Sequence, residues 1–169
     1  MKSSKVIVIV GPTGSGKTAV SVQIAKEIGG EIISADSRAI YKGMDLGTAK
    51  PSLEEREGVL HFGFDLVEPG ERFTVADFKE YAEQKIYEIE QRGHIPIIVG
   101  GTGLYVDALV YDYKFRGRTG EKADEDASIE QKNCTDRTEM SSKFKIFGVK
   151  TEPEILRKRL EERANKLFV

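Results

Sequence analysis

Residues Gly11-Pro12-Thr13-Gly14-Ser15-Gly16-Lys17-Thr18 fit the pattern G-x-x-x-x-G-K-S/T, and no other feature restricts the fold as much. The β-branched apolar run Lys5–Val10 precedes the loop, and apolar residues recur at helical spacing through Lys17–Ile28 until Gly29-Gly30 stops them. The reading is strand, loop, helix. Glycines let the backbone wrap with its N–H groups turned inward, and the helix start adds partial positive charge. A lysine in this position neutralises an outer phosphate, and the following hydroxyl, here Thr18, helps to hold Mg²⁺. The loop is therefore expected to grip a di- or triphosphate.

The same alternation continues downstream. Glu31–Ser34 reads as a second strand, with the polar residues from Asp36 to Tyr41 at its carboxyl end. Thr74 is placed to cap a helix over Val75–Gln91, whose Val75, Phe78, Ala82, Ile86 and Ile89 form one stripe. Ile95–Val99 is an unbroken apolar strand, as expected where a parallel sheet is covered on both faces, and another helix begins near Gly103. Phe144–Val149 resumes as a strand, followed by a helix over Glu152–Leu167 with Leu156, Leu160 and Leu167 facing inward. Strand–helix repetition implies right-handed crossovers and an α/β fold: a P-loop NTPase-like three-layer arrangement with a mainly parallel sheet. Ligands are expected beyond the carboxyl ends of its strands.

Between these elements, Lys114–Lys143 mixes seven basic and seven acidic residues with few large apolar ones and reads as a solvated, mobile excursion. The organisation expected is thus a catalytic core over residues 1–113, a short polar insertion over 114–143, and a last core strand and helix over 144–169. At 169 residues one compact domain is expected. The 26 Lys and Arg balance 28 Asp and Glu, so no global charge points to nucleic acid. A single cysteine, Cys134, excludes an internal disulfide and fits the cytoplasm, and the absence of an apolar run of membrane length argues against a signal or anchor.

A phosphate cradle is shared by kinases, triphosphatases and group transferases, so the remaining motifs decide. The stretch Ala35-Asp36-Ser37-Arg38-Ala39-Ile40-Tyr41-Lys42-Gly43-Met44-Asp45-Leu46-Gly47-Thr48-Ala49-Lys50-Pro51 resembles the signature of the tRNA dimethylallyltransferases. Pro12 and Thr13 within the loop, and Val99-Gly100-Gly101-Thr102-Gly103-Leu104-Tyr105, resemble the same family, as do the last strand and its arginine-bearing helix. The resemblance implies transfer of a five-carbon prenyl group from dimethylallyl diphosphate to the exocyclic amine of adenosine in tRNA, next to the anticodon. It further implies Asp36 as general base, Thr102 near acceptor and leaving group, and Ser37, Arg38 and position 39 around the acceptor base. On the last helix it implies a diphosphate-clamping arginine, Arg163 in preference to Arg159, with Mg²⁺ as cofactor. From the residues alone, Asp36 and Thr102 also suit helix caps, and the two arginines suit surface ion pairs.

Two departures bear on the acceptor. Ala39 stands where the family often has Gln, and Leu60-His61-Phe62-Gly63 replaces a Pro-His-His pattern, leaving His61 as one match and no second histidine; a lone histidine of this kind is more often structural than catalytic. The helical insertion that grips the anticodon arm shrinks to the polar segment, where Lys114, Arg116 and Arg118 supply only part of the usual phosphate contacts. A compact monomer with weak or assisted tRNA binding is expected. An adenylate isopentenyltransferase acting on a free adenine nucleotide, a P-loop small-molecule kinase and an inactive binding module remain alternatives. No D-D-x-x-D segment is present, against the isoprenoid-chain synthases.

Overall fold

In the computed structural model, which describes residues 5–45, 48, 50–115 and 141–167, nine elements follow in order. They are β1 (Val6–Val10), α1 (Lys17–Ile28), β2 (Gly30–Ser34), β3 (His61–Phe62), α2 (Val75–Gln91), β4 (Ile95–Gly100), α3 (Gly103–Val110), β5 (Phe144–Gly148) and α4 (Pro153–Leu167). All strand pairs are parallel, and the sheet order is β3-β2-β4-β1-β5. From β1 the chain travels towards β2, whereas from β4 it crosses to β5 on the far side of β1. The sheet therefore changes winding direction between β1 and β4, and a crevice opens there beyond their carboxyl ends.

Strand side chains alternate between faces, and the core divides accordingly. Val6, Val8, Ile33 and Ile98 pack with Phe78, Ala82, Ile86 and Ile89 of α2 and with Val106 and Leu109 of α3. Ile9, Ile32, Ile97 and Val99 point to the other face and meet Val22 and Ala25 of α1. Each such side chain, fully buried, contributes about 1.5–3 kcal/mol, so the three layers hold through burial. The cap expected at Thr74 is a full capping box: Thr74 Oγ1 accepts the Asp77 N–H at 3.2 Å, and Asp77 Oδ2 accepts the Thr74 N–H at 2.8 Å.

The last strand and helix differ in part from expectation. β5 pairs with β1 and so returns the chain to the core sheet, but α4 is not a core helix. Leu156 is half-buried and Leu160 exposed, and both lie against Gly14 of the glycine-rich loop rather than under the sheet. The Leu167 side chain and residues 116–140, which include Arg116, Arg118 and Cys134, lie outside what is described. Lys114 is bonded to Asp112. No helix among the described residues is long and apolar enough to cross a membrane.

At the end of the sheet away from the crevice, the Glu31 carboxylate is buried between Arg92 and His94. Arg92 donates from Nε to Oε1 at 3.1 Å and from Nη2 to Oε2 at 2.6 Å, and His94 Nδ1 lies 2.5 Å from Oε1. The Arg92 bonds, opposed by burial and aided by His94, hold the carboxyl below its ordinary pKa of 4.5. A depressed folded pKa contributes stability that is fully present above 4.5 and is lost as pH falls through the folded value. Arg92→Ala is expected to destabilise the fold at neutral pH, because it strips a buried carboxylate of its main partner. Urea unfolding checks this, and the gap to the wild-type protein should close in acid.

Candidate active site

The loop after β1 is shaped by two glycines in left-handed conformation, Gly14 at φ 80° and Gly16 at φ 89°. The Ser15 N–H donates to Pro12 O at 3.2 Å, closing the turn, and Thr151 Oγ1 donates to Ser15 O at 3.0 Å from behind. No side chain caps α1 at Gly16, so its first N–H groups are left for an anion. Lys17 folds back and donates to Pro12 O at 2.8 Å, and Arg159 of α4 donates from Nη1 to Gly14 O at 3.2 Å. Both cations thus rest on the loop's own carbonyls. The Ser15 hydroxyl is buried without a hydrogen-bond partner. Pro12 and Thr13 are exposed at the loop tip, and Gly11 lies at its base, where a methyl group would meet Val149 O at 2.7 Å.

Across the crevice, β2 ends at Ser34 and the chain turns at Asp36, whose Oδ1 accepts the Arg38 N–H at 2.9 Å. This short-range bond fixes the carboxylate locally, outside any helix. The Ser37 N–H donates to Thr102 Oγ1 at 3.1 Å, the Thr102 hydroxyl faces Ser37 Oγ at 3.3 Å, and the Thr102 N–H reaches Ala35 O at 3.3 Å. Thr102 precedes α3 but its side chain makes no cap bond there; its hydroxyl is spent on the Asp36 turn. Gly100 makes the approach possible, since a methyl group on it would sit 2.1 Å from Ala35 O.

Lys17, Thr18 and Asp36 consequently line one cleft, together with Ser21, Ser34, Pro51, His61 and Gly101. Burial pushes the Lys17 ammonium below its ordinary pKa, and the negative charge of Asp36 opposes that shift. A lysine and a carboxylate that feel each other across a shared cleft can serve the leaving and the attacking ends of one reaction.

The other expected residues are distributed around this centre. Arg163 donates to Thr48 O, so α4 touches the glycine-rich loop through Arg159 and the motif segment through Arg163. Arg38 is exposed, and Ala39 is buried, contributing its carbonyl to the Asp65 N–H at 3.3 Å. His61 Nδ1 donates to Val59 O at 2.9 Å, which leaves Nε2 as a buried acceptor without a partner, and burial pushes the ring's pKa down. Ser34, Pro51 and Phe64 also form the wall, although the sequence offered only their nearness to the motif.

Comparison with known proteins agrees with this geometry. Residues 39–142 match the family model described as IPP transferase, and residues 4–62 match one described as isopentenyl transferase. A tRNA dimethylallyltransferase of Staphylococcus carnosus is 58% identical over 109 residues, 64% of this chain and 34% of the relative. One from Bacillus cytotoxicus is 50% identical over 119 residues, 70% and 38% of the two chains. The chain thus spans little more than a third of the length of these curated relatives. Among solved structures, the full-length tRNA isopentenylpyrophosphate transferase of Bacillus halodurans superposes with a TM-score of 0.78 at 34% identity, covering 98% of this chain and 66% of that one. A eukaryotic dimethylallyltransferase at 24% identity and TM-score 0.77, covering 98% and 53%, shares the fold. On the match over residues 39–142 and the shared three-layer architecture, the chain belongs to the IPP transferase family.

Proposed function

We propose that this chain transfers a dimethylallyl group from dimethylallyl diphosphate to the exocyclic amine of adenosine in tRNA, next to the anticodon, in the cytoplasm. The observation that carries the reading is the Asp36 carboxylate in one cleft with Lys17 and Thr18. The diphosphate seats on N–H groups of the loop and of the first turn of α1; Lys17 and Arg159 leave Pro12 O and Gly14 O for its oxygens. The amine nitrogen attacks the allylic carbon, the carbon–oxygen electrons depart with the diphosphate, and Asp36 takes the proton released from the amine. Thr102 keeps the Asp36 turn facing the donor through its bond to Ser37.

The site also suits Mg²⁺. Thr18 offers a half-buried hydroxyl at the cleft, and no group of three His, Cys, Asp or Glu among the described residues could ligate an ion without help. That donor set fits an ion held by Thr18 and the diphosphate oxygens themselves, as Mg²⁺ prefers. When bound, the ion neutralises charge developing on the leaving group.

The test is incubation with labelled dimethylallyl diphosphate and either unmodified tRNA or AMP. Label in tRNA is the expected outcome. Label in AMP alone would replace the tRNA assignment with an adenylate isopentenyltransferase, a reading that the match of residues 4–62 to the isopentenyl transferase model also accommodates.

A further inference from the structure

Lys50 lies near the end of the signature segment, yet nothing in the reaction above uses it. Its side chain is 6% exposed, and its ammonium meets three acceptors: Tyr41 O at 2.8 Å, Asp45 Oδ1 at 2.9 Å and Asp65 Oδ1 at 2.6 Å. Three donors and three acceptors saturate the group. From the geometry we infer that Lys50 is a positioning residue for the acceptor, holding the segment that begins at Asp36 in the shape the transfer requires; the inference rests on the function proposed above.

The acceptors belong to two stretches of chain. Tyr41 and Asp45 lie on the segment leaving the Asp36 turn, and Asp65 lies beyond β3. The two stretches run together as an extension of the sheet: Tyr41 bridges Val67, the Asp65 N–H donates to Ala39 O at 3.3 Å, the Leu66 N–H to Ile40 O at 2.7 Å, and the Lys42 N–H to Val67 O at 2.9 Å. Such a two-stranded extension is weak by itself. Lys50 fastens it from one side with a charge shielded from water.

Asp65 supplies a second, independent sign. It sits at φ 52°, in the left-handed region, which is uncommon for a non-glycine residue although aspartate enters it more readily than most. The shortest of the three Lys50 bonds ends on this residue. Lys50 is also joined directly to Pro51, which forms part of the cleft wall and whose carbonyl accepts Arg56 Nε at 3.1 Å. Holding Lys50 therefore holds Asp36 on one side and the wall of the cleft on the other. Arg163 reaches the same loop through Thr48 O.

Lys50→Met keeps the buried stem and removes the charge, and the two carboxylates it frees are open to water, at 72% and 47% exposure, so the core is spared. Hydrogen exchange should quicken at least about tenfold over residues 36–45 while residues 11–28 keep their protection. Affinity for pyrophosphate with Mg²⁺ should stay within about twofold, while the KM for the acceptor rises and kcat falls, each about tenfold. Lys50→Arg should recover part of the loss. If Lys50→Met does not fold, Asp65→Asn weakens the same knot and should give the same pattern at smaller size. Unchanged exchange over residues 36–45, or loosening that extends equally into the glycine-rich loop, would overturn the inference. A wild-type chain that transfers no prenyl group would refute the proposed function, while the exchange experiment would still decide the role of Lys50.

Discussion

Lys17→Ala should weaken binding of pyrophosphate in the presence of Mg²⁺ by about 10- to 100-fold, the loss expected for a charge-assisted hydrogen bond to a partly desolvated anion. The lysine lies at the start of α1 and reaches Pro12 O, so its ammonium is already directed along the inner side of the loop. Removing it costs the fold little, since no described side chain depends on it and the loop keeps its Ser15-to-Pro12 and Thr151-to-Ser15 bonds. Titration calorimetry reads the effect directly. A pH series adds a check with a definite sign: burial lowers the Lys17 pKa, so the free loop loses its cation at lower pH than an ordinary lysine would. Affinity should fall as pH rises through that lowered value, and the fall should be absent from Lys17→Ala. Equal affinities in the variant and the wild-type protein would mean that Lys17 contributes nothing and that the anion is held by the loop's backbone and Arg159.

The parts legible in the sequence are those fixed by neighbours along the chain. The glycine pattern at Gly11–Thr18, the Thr74 cap and the 17-residue stripe of α2 each depend on residues within a few positions, so spacing is enough to find them. The joining of Asp36 to the loop followed from topology, since both positions stand at carboxyl ends of strands in a parallel sheet. What spacing does not encode is contact between distant segments. Thr102 reads equally well as a cap until its hydroxyl is found 65 positions away on Ser37. Lys50 looks like any loop lysine until Asp65 is brought beside it. The leucines of α4 misled for a related reason: an apolar stripe specifies that a helix packs, and not on what. Among the described residues β5 is an edge strand, and α4 packs on the glycine-rich loop, so its leucines face Gly14 of that loop.

Asp36→Ala should reduce prenyl transfer by about 100- to 10,000-fold, the range general-base catalysis supplies, while pyrophosphate affinity stays near the wild-type value. The separation of these effects follows from the division of the cleft. In the proposed reaction the anion is held by Lys17, Arg159 and backbone N–H groups, all carried by β1–α1 and α4, whereas Asp36 hangs from the end of β2 and its carboxylate is bonded to its own turn. Removing a negative charge near Lys17 should, if anything, slightly favour anion binding, because the two are coupled electrostatically. Asp36→Asn sharpens the test: its amide oxygen keeps the bond from the Arg38 N–H and so the turn, but it cannot take up a proton. An Asn variant as inactive as Ala assigns proton removal to the carboxylate. An Asn variant close to the wild-type rate would show that Asp36 shapes the turn and that the base lies elsewhere in the cleft, where Nε2 of His61, buried and without a partner, is a second proton acceptor.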